Sequence, residues 1–409
     1  MEMICKERFQ ITEESELLIH ILDAYINGNK IEIPDAVSIR DLYEISMIHN
    51  VTAIVCEVIS SAGSYKGSAV LQPFINAYMA AVYQSSVQEY SIQELIEQLE
   101  EDKIPYALVK GACIREIYPN PELRTMGDID LFMSEESRIK TDKILKELGY
   151  QKGELGSNVW TYKKDRNTFE VHSKLVEGRF WNNVDYESYF ETLLTKWKSR
   201  QGTSRKYLTL EDHFLYLCFH FAKHLHSAGA GVRMVMDIAL YIKQYGEQMD
   251  WGYIWDEADK IELDAFIKKL LYICSRWFHT ETANIIQENE IEDELLNSFA
   301  DYVLSGGIFG SERDDSVRRL RKGVAEDGNN GSMAVKLRAL ANLAFPDYKH
   351  MIIFMPALKR YPWMLPAAWV KRWLVGIQNR ERVKASLTNF DSNVEIAREQ
   401  SDLLRKMGL

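Results

Sequence analysis

The feature that most restricts the fold of this chain is a short apolar run that contains two aspartates one residue apart. In the segment GDIDLF, Asp128 and Asp130 alternate with Ile129 and Leu131. On a β-strand, residues i and i+2 project from the same face, so the two carboxylates point together while the apolar side chains enter the core. Two carboxylates this close repel each other unless a cation lies between them. The segment therefore predicts a strand that carries half of a metal site, and its oxygen ligands suit Mg²⁺.

Alone, the D-x-D pattern is also typical of a solvent-facing edge strand without a ligand, so the neighbouring segments must decide. Upstream, LVKGACIREIY predicts a strand, a glycine turn and the start of a helix. Gly111 allows the backbone to approach a ligand closely, and the helix N-terminus offers free N–H groups to a phosphate. Lys110 is then a candidate phosphate contact. The alternative is an ordinary strand-to-helix turn with an exposed lysine.

Two further segments bring more polar groups towards the aspartates. In TFEVHSKL, Glu170 and His172 share one strand face, while Phe169 and Val171 take the other. Glu170 is therefore a candidate third acid of the metal site. Arg124 lies four residues before the first aspartate and is a candidate for a bidentate phosphate contact. The alternative for this arginine is a solvated loop residue.

The order of elements predicts an α+β fold with a small mixed β-sheet core between helical regions. Helix-period apolar positions dominate residues 1–102, including a long helical run at 69–101 in which Leu95, Ile96 and Leu99 face inward. Strand and helix patterns alternate from residue 103 to about residue 178 and finish with a hairpin around the DRN turn. Residues 206–409 return to helical patterns, apart from a charged, glycine-rich segment at 305–332 that predicts a loop.

Composition limits the class of protein. The 409 residues are 46% hydrophobic and 27% charged, which is ordinary for a globular chain, and the net charge of −11 argues against a protein that grips long nucleic acid. The five cysteines form no C-x-x-C pair, which favours reduced thiols and a cytoplasmic location. We expect no signal peptide and no transmembrane helix, because the required apolar runs are missing.

Histidines cluster in the segment HFLYLCFHFAKHLH. Three of them fall on one predicted helical face with a fourth nearby: His213, His220, His224 and His226. They could bind zinc, pack and hydrogen-bond within the core, or contact a nucleotide or acceptor across a cleft. No nearby cysteine or glutamate completes a zinc ligand set.

Two other segments have more than one interpretation. Arg233 and Asp237 are four residues apart on a predicted helix, which predicts an ion pair between them; the alternative is an Arg233 side chain that faces the cleft. The aromatic, basic and proline-containing segment 348–378 favours packing of proline-broken helices over membrane-surface docking or a partner interface.

Taken together, these motifs resemble a known family. The strings LVKGACIREIYPNPELRTMGDIDLF, FEVH, HFAKH and VRMVMDIALYI occur in this order over about residues 103–245. They are similar to the bacterial uncharacterised nucleotidyltransferase family of the DNA-polymerase-beta-like superfamily. The resemblance implies a nucleotidyltransferase core at 103–205 with helical regions on both sides.

The resemblance also implies a reaction and roles for individual residues. Asp128 and Asp130 would hold Mg²⁺ or Mn²⁺, and Glu170 would complete the metal site and help to deprotonate an acceptor hydroxyl. Lys110 and Gly111 would cradle the phosphates of an NTP. The hydroxyl would attack the α-phosphate, transferring an NMP and releasing pyrophosphate.

The remaining candidate contacts follow from the same resemblance. In the superfamily, the glycine is usually followed by glycine or serine, whereas this chain has Ala112 and so lacks a hydroxyl for the phosphate. The candidate nucleotide-binding residues are Lys110, Gly111, Arg124, His172, His224 and Arg233. The expected partners are an NTP and a hydroxyl acceptor, which the acidic charge favours as a small molecule or protein.

Two other functions use the same residues. A glycosyltransferase can hold a nucleotide sugar through a D-x-D motif, but its motif usually follows a larger nucleotide-binding α/β unit, and strands within residues 10–100 would favour it. A non-catalytic relative would bind a nucleotide or a partner protein without transfer. The presence of all three acids argues against that reading.

Overall fold

The computed structural model describes residues 12–34, 36–63, 68–153, 159–178, 180–199, 201–227, 229–282, 285–286, 291–307, 317, 321, 341, 344–346, 348–378 and 390–409. The chain divides into two compact units, Met1–Phe309 with Met407–Leu409, and Gly310–Lys406. Every residue predicted for the site belongs to the first unit. The three-part division at residues 102 and 205 stays a prediction.

The chain begins with helices, as predicted. They are α1 Glu13–Asn27, α2 Ile39–Ile48, α3 Thr52–Ala62 and α4 Gln72–Glu101. The Thr12 hydroxyl caps α1 by accepting from the Ser15 N–H at 3.2 Å, and Gly28 ends it in the left-handed conformation with φ 67°. The described residues between 12 and 101 contain no strand. The feature that would favour a glycosyltransferase is therefore missing from this part of the chain.

A mixed five-stranded sheet follows, with the order β1-β2-β5-β4-β3. Its strands are β1 Ala107–Leu108, β2 Ile129–Phe132, β3 Gln151–Lys152, β4 Val159–Lys164 and β5 Asn167–His172. β2 and β5 are parallel, whereas the other neighbouring pairs are antiparallel. The short helix α5 Gly111–Ile114 follows β1, and α6 Glu135–Glu147 follows β2 behind a Ser134 cap. Together with the flanking helices, this sheet confirms the predicted α+β class.

One face of the sheet packs on α4. Leu95 and Leu99 join the cluster that contains Ile129, Leu131 and Phe169, all at most 1% exposed. Because strand side chains alternate, burial of these apolar residues directs their polar neighbours in β2 and β5 to the other face. The core of the sheet therefore sets the direction in which the acids point.

Helices and a small two-stranded sheet complete the first unit. The sheet consists of β6 Lys198–Ser199 and β7 Lys206–Tyr207. The helices are α7 Tyr186–Leu193, α8 Leu210–Ser227, α9 Val232–Tyr245, α10 Trp251–Lys260, α11 Asp264–Phe278 and α12 Asp293–Gly306. Short 3₁₀ turns lie at Ala69–Leu71, Arg115–Ile117, Pro121–Leu123 and Leu194–Lys196. Helix α12 covers the start of the predicted loop at 305–332, most of which lies outside the described residues.

The second unit is helical where it is described. It has helices Tyr348–Phe354 and Leu365–Gln378, 3₁₀ turns Pro356–Lys359 and Pro362–Met364, and a last helix, Phe390–Met407. Met351, Leu358 and Ala368 form a buried cluster, as expected for proline-broken helices that pack together. Among the described residues, no helix is long and apolar enough to span a membrane.

Candidate active site

Two acids meet because parallel strands hold them in register. Asp130 in β2 is paired with Glu170 in β5, and Phe132 is paired with His172 two positions further on. Asp130 is 7% exposed, whereas Asp128 lies just before the strand and is exposed. The predicted strand is therefore present, although only Asp130 of the two aspartates lies on it, and it is an inner strand of the sheet rather than a solvent-facing edge strand.

One carboxylate oxygen of Asp130 is contacted by a lysine and by a histidine. The ammonium of Lys110 donates to Asp130 Oδ1 at 2.5 Å, and Nε2 of His172 lies 2.8 Å from the same oxygen. Burial would raise the pKa of Asp130, but Lys110 and His172 outweigh burial and hold this pKa below its usual value. Asp130 is therefore ionised at neutral pH.

His172 links Asp130 to the third acid. Its Nε2 is 3.4 Å from Oε2 of Glu170, and this contact lowers the pKa of Glu170 against the opposing effect of burial. Burial would lower the pKa of His172 itself, but its hydrogen bonds to the two carboxylates raise it. The ligand atoms of Asp130, Glu170 and His172 all lie within 4.8 Å of one another. This is the group with metal-binding geometry among the described residues.

Asp128 is not one of the three residues in this group, but it lies close enough to feel their charge. Although its side chain is exposed, partial desolvation of its carboxylate raises its pKa, and the negative charges of Glu170 and Asp130 raise it further. A divalent cation would relieve this repulsion. The carboxylate oxygens and the imidazole nitrogen form a donor set that fits Mg²⁺ or Mn²⁺, because carboxylates suit both ions and nitrogen ligands favour a transition metal.

The turn after β1 brings Lys110 to the acids. Lys110 has backbone angles of φ 52° and ψ −125°, which residues other than glycine rarely adopt. Such backbone strain is often retained at functional sites. A Cβ on Gly111 would lie 2.6 Å from Nη1 of Arg124 and 3.2 Å from Met126 Cγ. A side chain at position 111 would therefore have to displace the guanidinium of Arg124, which Asp237 holds in place.

Arg124 is buried in an ion pair. Its Nε and Nη2 donate to the two carboxylate oxygens of Asp237 at 3.2 and 2.7 Å, and the Tyr118 hydroxyl donates to Oδ1 at 2.7 Å. The arginine is 8% exposed, so the solvated-loop alternative is wrong. The pair joins the segment before β2 to helix α9, and a phosphate contact by Arg124 stays a prediction.

The predicted pair between Arg233 and Asp237 is wrong, because Arg124 takes the carboxylate of Asp237. Arg233 instead donates through Nη1 to the carbonyl and hydroxyl oxygens of Thr125 at 2.8 and 3.0 Å. Burial, together with the charge of Arg124, lowers the pKa of Arg233 to about 10. The two arginines therefore hold the same segment before β2.

The basic cavity, of about 200 Å³, is lined by Lys110 and His172, which both contact Asp130. Seven polar side chains line its wall: Lys110, His172, Lys174, Glu177, Tyr216, His220 and Lys223. Burial and the nearby Lys110 lower the pKa of Lys223, as expected where cations crowd together. Lys174 is also paired with Glu187 and Glu191, yet three lysines against one glutamate in the wall suit an anionic ligand such as a polyphosphate.

Sequence reasoning did not identify Lys174, Tyr216 and Lys223, which line the basic cavity, as candidate site residues. The signal for α8 was present, since Tyr216, Phe219, His220 and Lys223 recur at helical spacing and line the same cavity. His224 was predicted instead, and it packs behind this wall with its ring 4.5 Å from that of His220. Burial, with help from Lys223, lowers the pKa of His224 to about 4, so its ring is neutral at pH 7.

The fold and the site define an α+β protein with a candidate metal-binding cluster of acids and a histidine next to a cavity lined by three lysines. Residues 35–279, more than half of the chain, match a family described as uncharacterised nucleotidyltransferase, and the chain belongs to this family. No curated protein and no solved structure matches the chain.

Proposed function

We propose that this protein transfers an NMP from an NTP to a hydroxyl acceptor, with release of pyrophosphate. The observation that carries the proposal is the register of Asp130 with Glu170, which places both acids next to Lys110, a residue that also lines the basic cavity. Membership of a nucleotidyltransferase family supports the reaction class. We further propose that the core is of the DNA-polymerase-beta-like type and that the protein works in the cytoplasm.

The acids would hold the metal ion. Asp128, Asp130 and Glu170 supply carboxylates, with His172 as a nitrogen ligand or a contact to the nucleotide. When bound, Mg²⁺ or Mn²⁺ supplies positive charge to the phosphate oxygens of the NTP. Glu170 has a lowered pKa and is therefore ionised at neutral pH, so it can accept the proton of the attacking hydroxyl.

The cavity would bind the triphosphate. Lys110, Lys174 and Lys223 present ammonium groups to the phosphate oxygens, while Gly111 keeps the turn free of a side chain. The acceptor oxygen forms a bond to the α-phosphorus as the bond to the bridging oxygen breaks, and pyrophosphate carries away the electron pair. We propose that Arg124 and Arg233 position this turn and the strand β2.

Transfer is tested with each α-³²P-labelled NTP, Mg²⁺ or Mn²⁺ and a cell extract as the source of acceptor. We expect label to move to an acceptor with the wild-type protein and with Asp259→Asn, an exposed control on α10. Asp130→Asn should transfer none. A melting temperature that rises with nucleotide, without any transfer, would favour the non-catalytic alternative. If there is no transfer and no rise in melting temperature, the proposal is overturned.

A further inference from the structure

A second cavity, of about 150 Å³, lies beside the edge strand β1. Helix α8 lines both cavities, with His213 in this wall and Tyr216 in the wall of the basic cavity, and Leu175 borders both. None of the three lysines that line the basic cavity, Lys110, Lys174 and Lys223, lines the second cavity. It is therefore a different site from the one described above.

The wall of this second cavity is largely aromatic and aliphatic. Its rings come from Trp197, Tyr207, Tyr241 and Tyr245, and Leu208 adds an aliphatic side chain. Small-molecule sites typically combine such apolar walls with a few polar groups that fix the orientation of the ligand. A cavity of about 150 Å³ accommodates one six-membered aromatic ring.

Three residues in the same wall carry buried polar nitrogens without a hydrogen-bond partner. These atoms are Nε1 of Trp197, Nε of Arg205 and Nε2 of His213. The tryptophan and arginine nitrogens can only donate, and His213 is neutral at pH 7 because burial lowers its pKa to about 4. Buried polar groups are normally paired, so this wall lacks an acceptor.

The guanidinium of Arg205 indicates which kind of hydrogen-bond acceptor fits the cavity. Arg205 keeps its positive charge at any physiological pH, and its guanidinium lies over the Tyr207 ring at 4.9 Å. One terminal nitrogen, Nη2, reaches Glu116 at 3.3 Å; this glutamate also lines the cavity, but its side chain is 60% exposed, so solvent screens its charge. A carboxylate offers two acceptor oxygens and a charge that complements the guanidinium.

We propose that the second cavity binds a single-ring aromatic carboxylate of about the size of benzoate. The ring lies among Tyr207, Tyr241 and Tyr245, and the carboxylate faces the side of the wall formed by Trp197 and Arg205. Val109 and Cys113, which also line the cavity, flank the turn that carries Lys110. The occupant thus touches this turn without touching the acids, and its binding does not depend on the proposed transferase activity.

Benzoate binding to the full chain is measured by saturation-transfer NMR and isothermal titration calorimetry. We expect one site, and about tenfold weaker binding of benzyl alcohol because it lacks the second oxygen and the charge. Arg205→Met should weaken benzoate binding about tenfold, and Leu208→Trp should abolish it by filling the cavity. Arg40→Met, an exposed control, should bind benzoate like the wild type.

Three results would overturn the proposal: no benzoate binding to the wild type at millimolar concentration, equal binding by folded Leu208→Trp, or displacement by inorganic tripolyphosphate. The last result would place benzoate in the basic cavity. If a variant fails to fold, photolabelling of the wild type with 4-azidobenzoate decides. Label on the peptides of Tyr207 or Tyr241 supports the site, and label on those of Lys174 or Lys223 contradicts it.

Discussion

Arg124 and Asp237 form a buried two-point ion pair that ties the segment before β2 to helix α9. The side chains are 8% and 11% exposed, and Tyr118 donates a further hydrogen bond to the same carboxylate. Breaking a buried pair leaves an uncompensated charge, which is far more costly than losing an exposed pair. The pair therefore stabilises the segment that leads into Asp128 and Asp130.

Removing one charge of this pair should destabilise the protein. We expect Asp237→Asn to lower the free energy of unfolding by about 3 kcal/mol, because Arg124 stays buried without its counterion. Urea denaturation followed by circular dichroism measures the change. Glu44→Gln, which breaks the exposed pair with Arg40, should cost less than about 0.5 kcal/mol. Equal losses in the two variants would contradict a structural role for the buried pair.

The proposed base can be tested without disturbing the fold. Glu170→Gln keeps the size of the side chain but cannot accept the proton, so we expect kcat for NMP transfer to fall about 10²- to 10⁴-fold. Glu147→Gln, on the exposed end of α6, is the control and should keep wild-type activity. Wild-type kcat in Glu170→Gln, with an unchanged melting temperature, would exclude this glutamate as the base.

The basic cavity predicts an effect on substrate binding. We expect Lys223→Met to raise KM for the NTP about tenfold, because one charged contact to the triphosphate is lost while the methionine still fills the wall of α8. Initial rates over a range of NTP concentrations separate KM from kcat. The control Lys140→Met removes an exposed lysine of α6. A KM equal to that of the control would show that the triphosphate lies elsewhere.

Burial of His49 should make stability depend on pH. Its Nε2 hydrogen-bonds the carbonyl of Leu304 at 3.0 Å, its Nδ1 accepts from the Val232 N–H at 3.3 Å, and burial lowers its pKa from 6.5 to about 4. The unfolded chain therefore binds the proton more tightly. Stability is complete above pH 6.5 and falls by about 3 kcal/mol as the pH drops to 4.

The His49 effect is measured by urea denaturation between pH 4 and 7.5. His49→Gln should be less stable at pH 7 but should lose less stability on acidification than the wild type. His20→Gln, which replaces an exposed histidine, should keep the wild-type pH dependence. An unchanged slope in His49→Gln would mean that other groups control the acid sensitivity.

Local pattern was sufficient for part of the site. Alternation of polar and apolar residues in GDIDLF and TFEVH predicts both strands and the faces of Asp130 and Glu170, because strand geometry depends on neighbours in the chain. The parallel register that pairs them was not predictable in this way, since it depends on which strands meet. The same holds for Lys223, which reaches the site only because α8 packs beside the sheet.

The ion pair of Asp237 also could not be predicted from local sequence. Spacing of four residues on a helix favours an Arg233–Asp237 pair, and on an exposed helix that rule would decide. In this fold Asp237 is buried, and Arg124 reaches it from the segment before β2. The two parallel hydrogen bonds that Arg124 donates are stronger than a single contact along one helix. A local rule fails here because tertiary packing supplies a better donor.

Lys110 contacts Asp130 and also lines the basic cavity, so the same ammonium group can bind either the carboxylate or an anion in the cavity. An anion that draws this ammonium into the cavity leaves the carboxylate with less positive charge, and the attraction of the acids for a divalent cation then grows. A cation that binds first frees the lysine for the anion in the same way. We therefore expect positive cooperativity between polyphosphate and metal, transmitted by a single side chain rather than by a movement of domains.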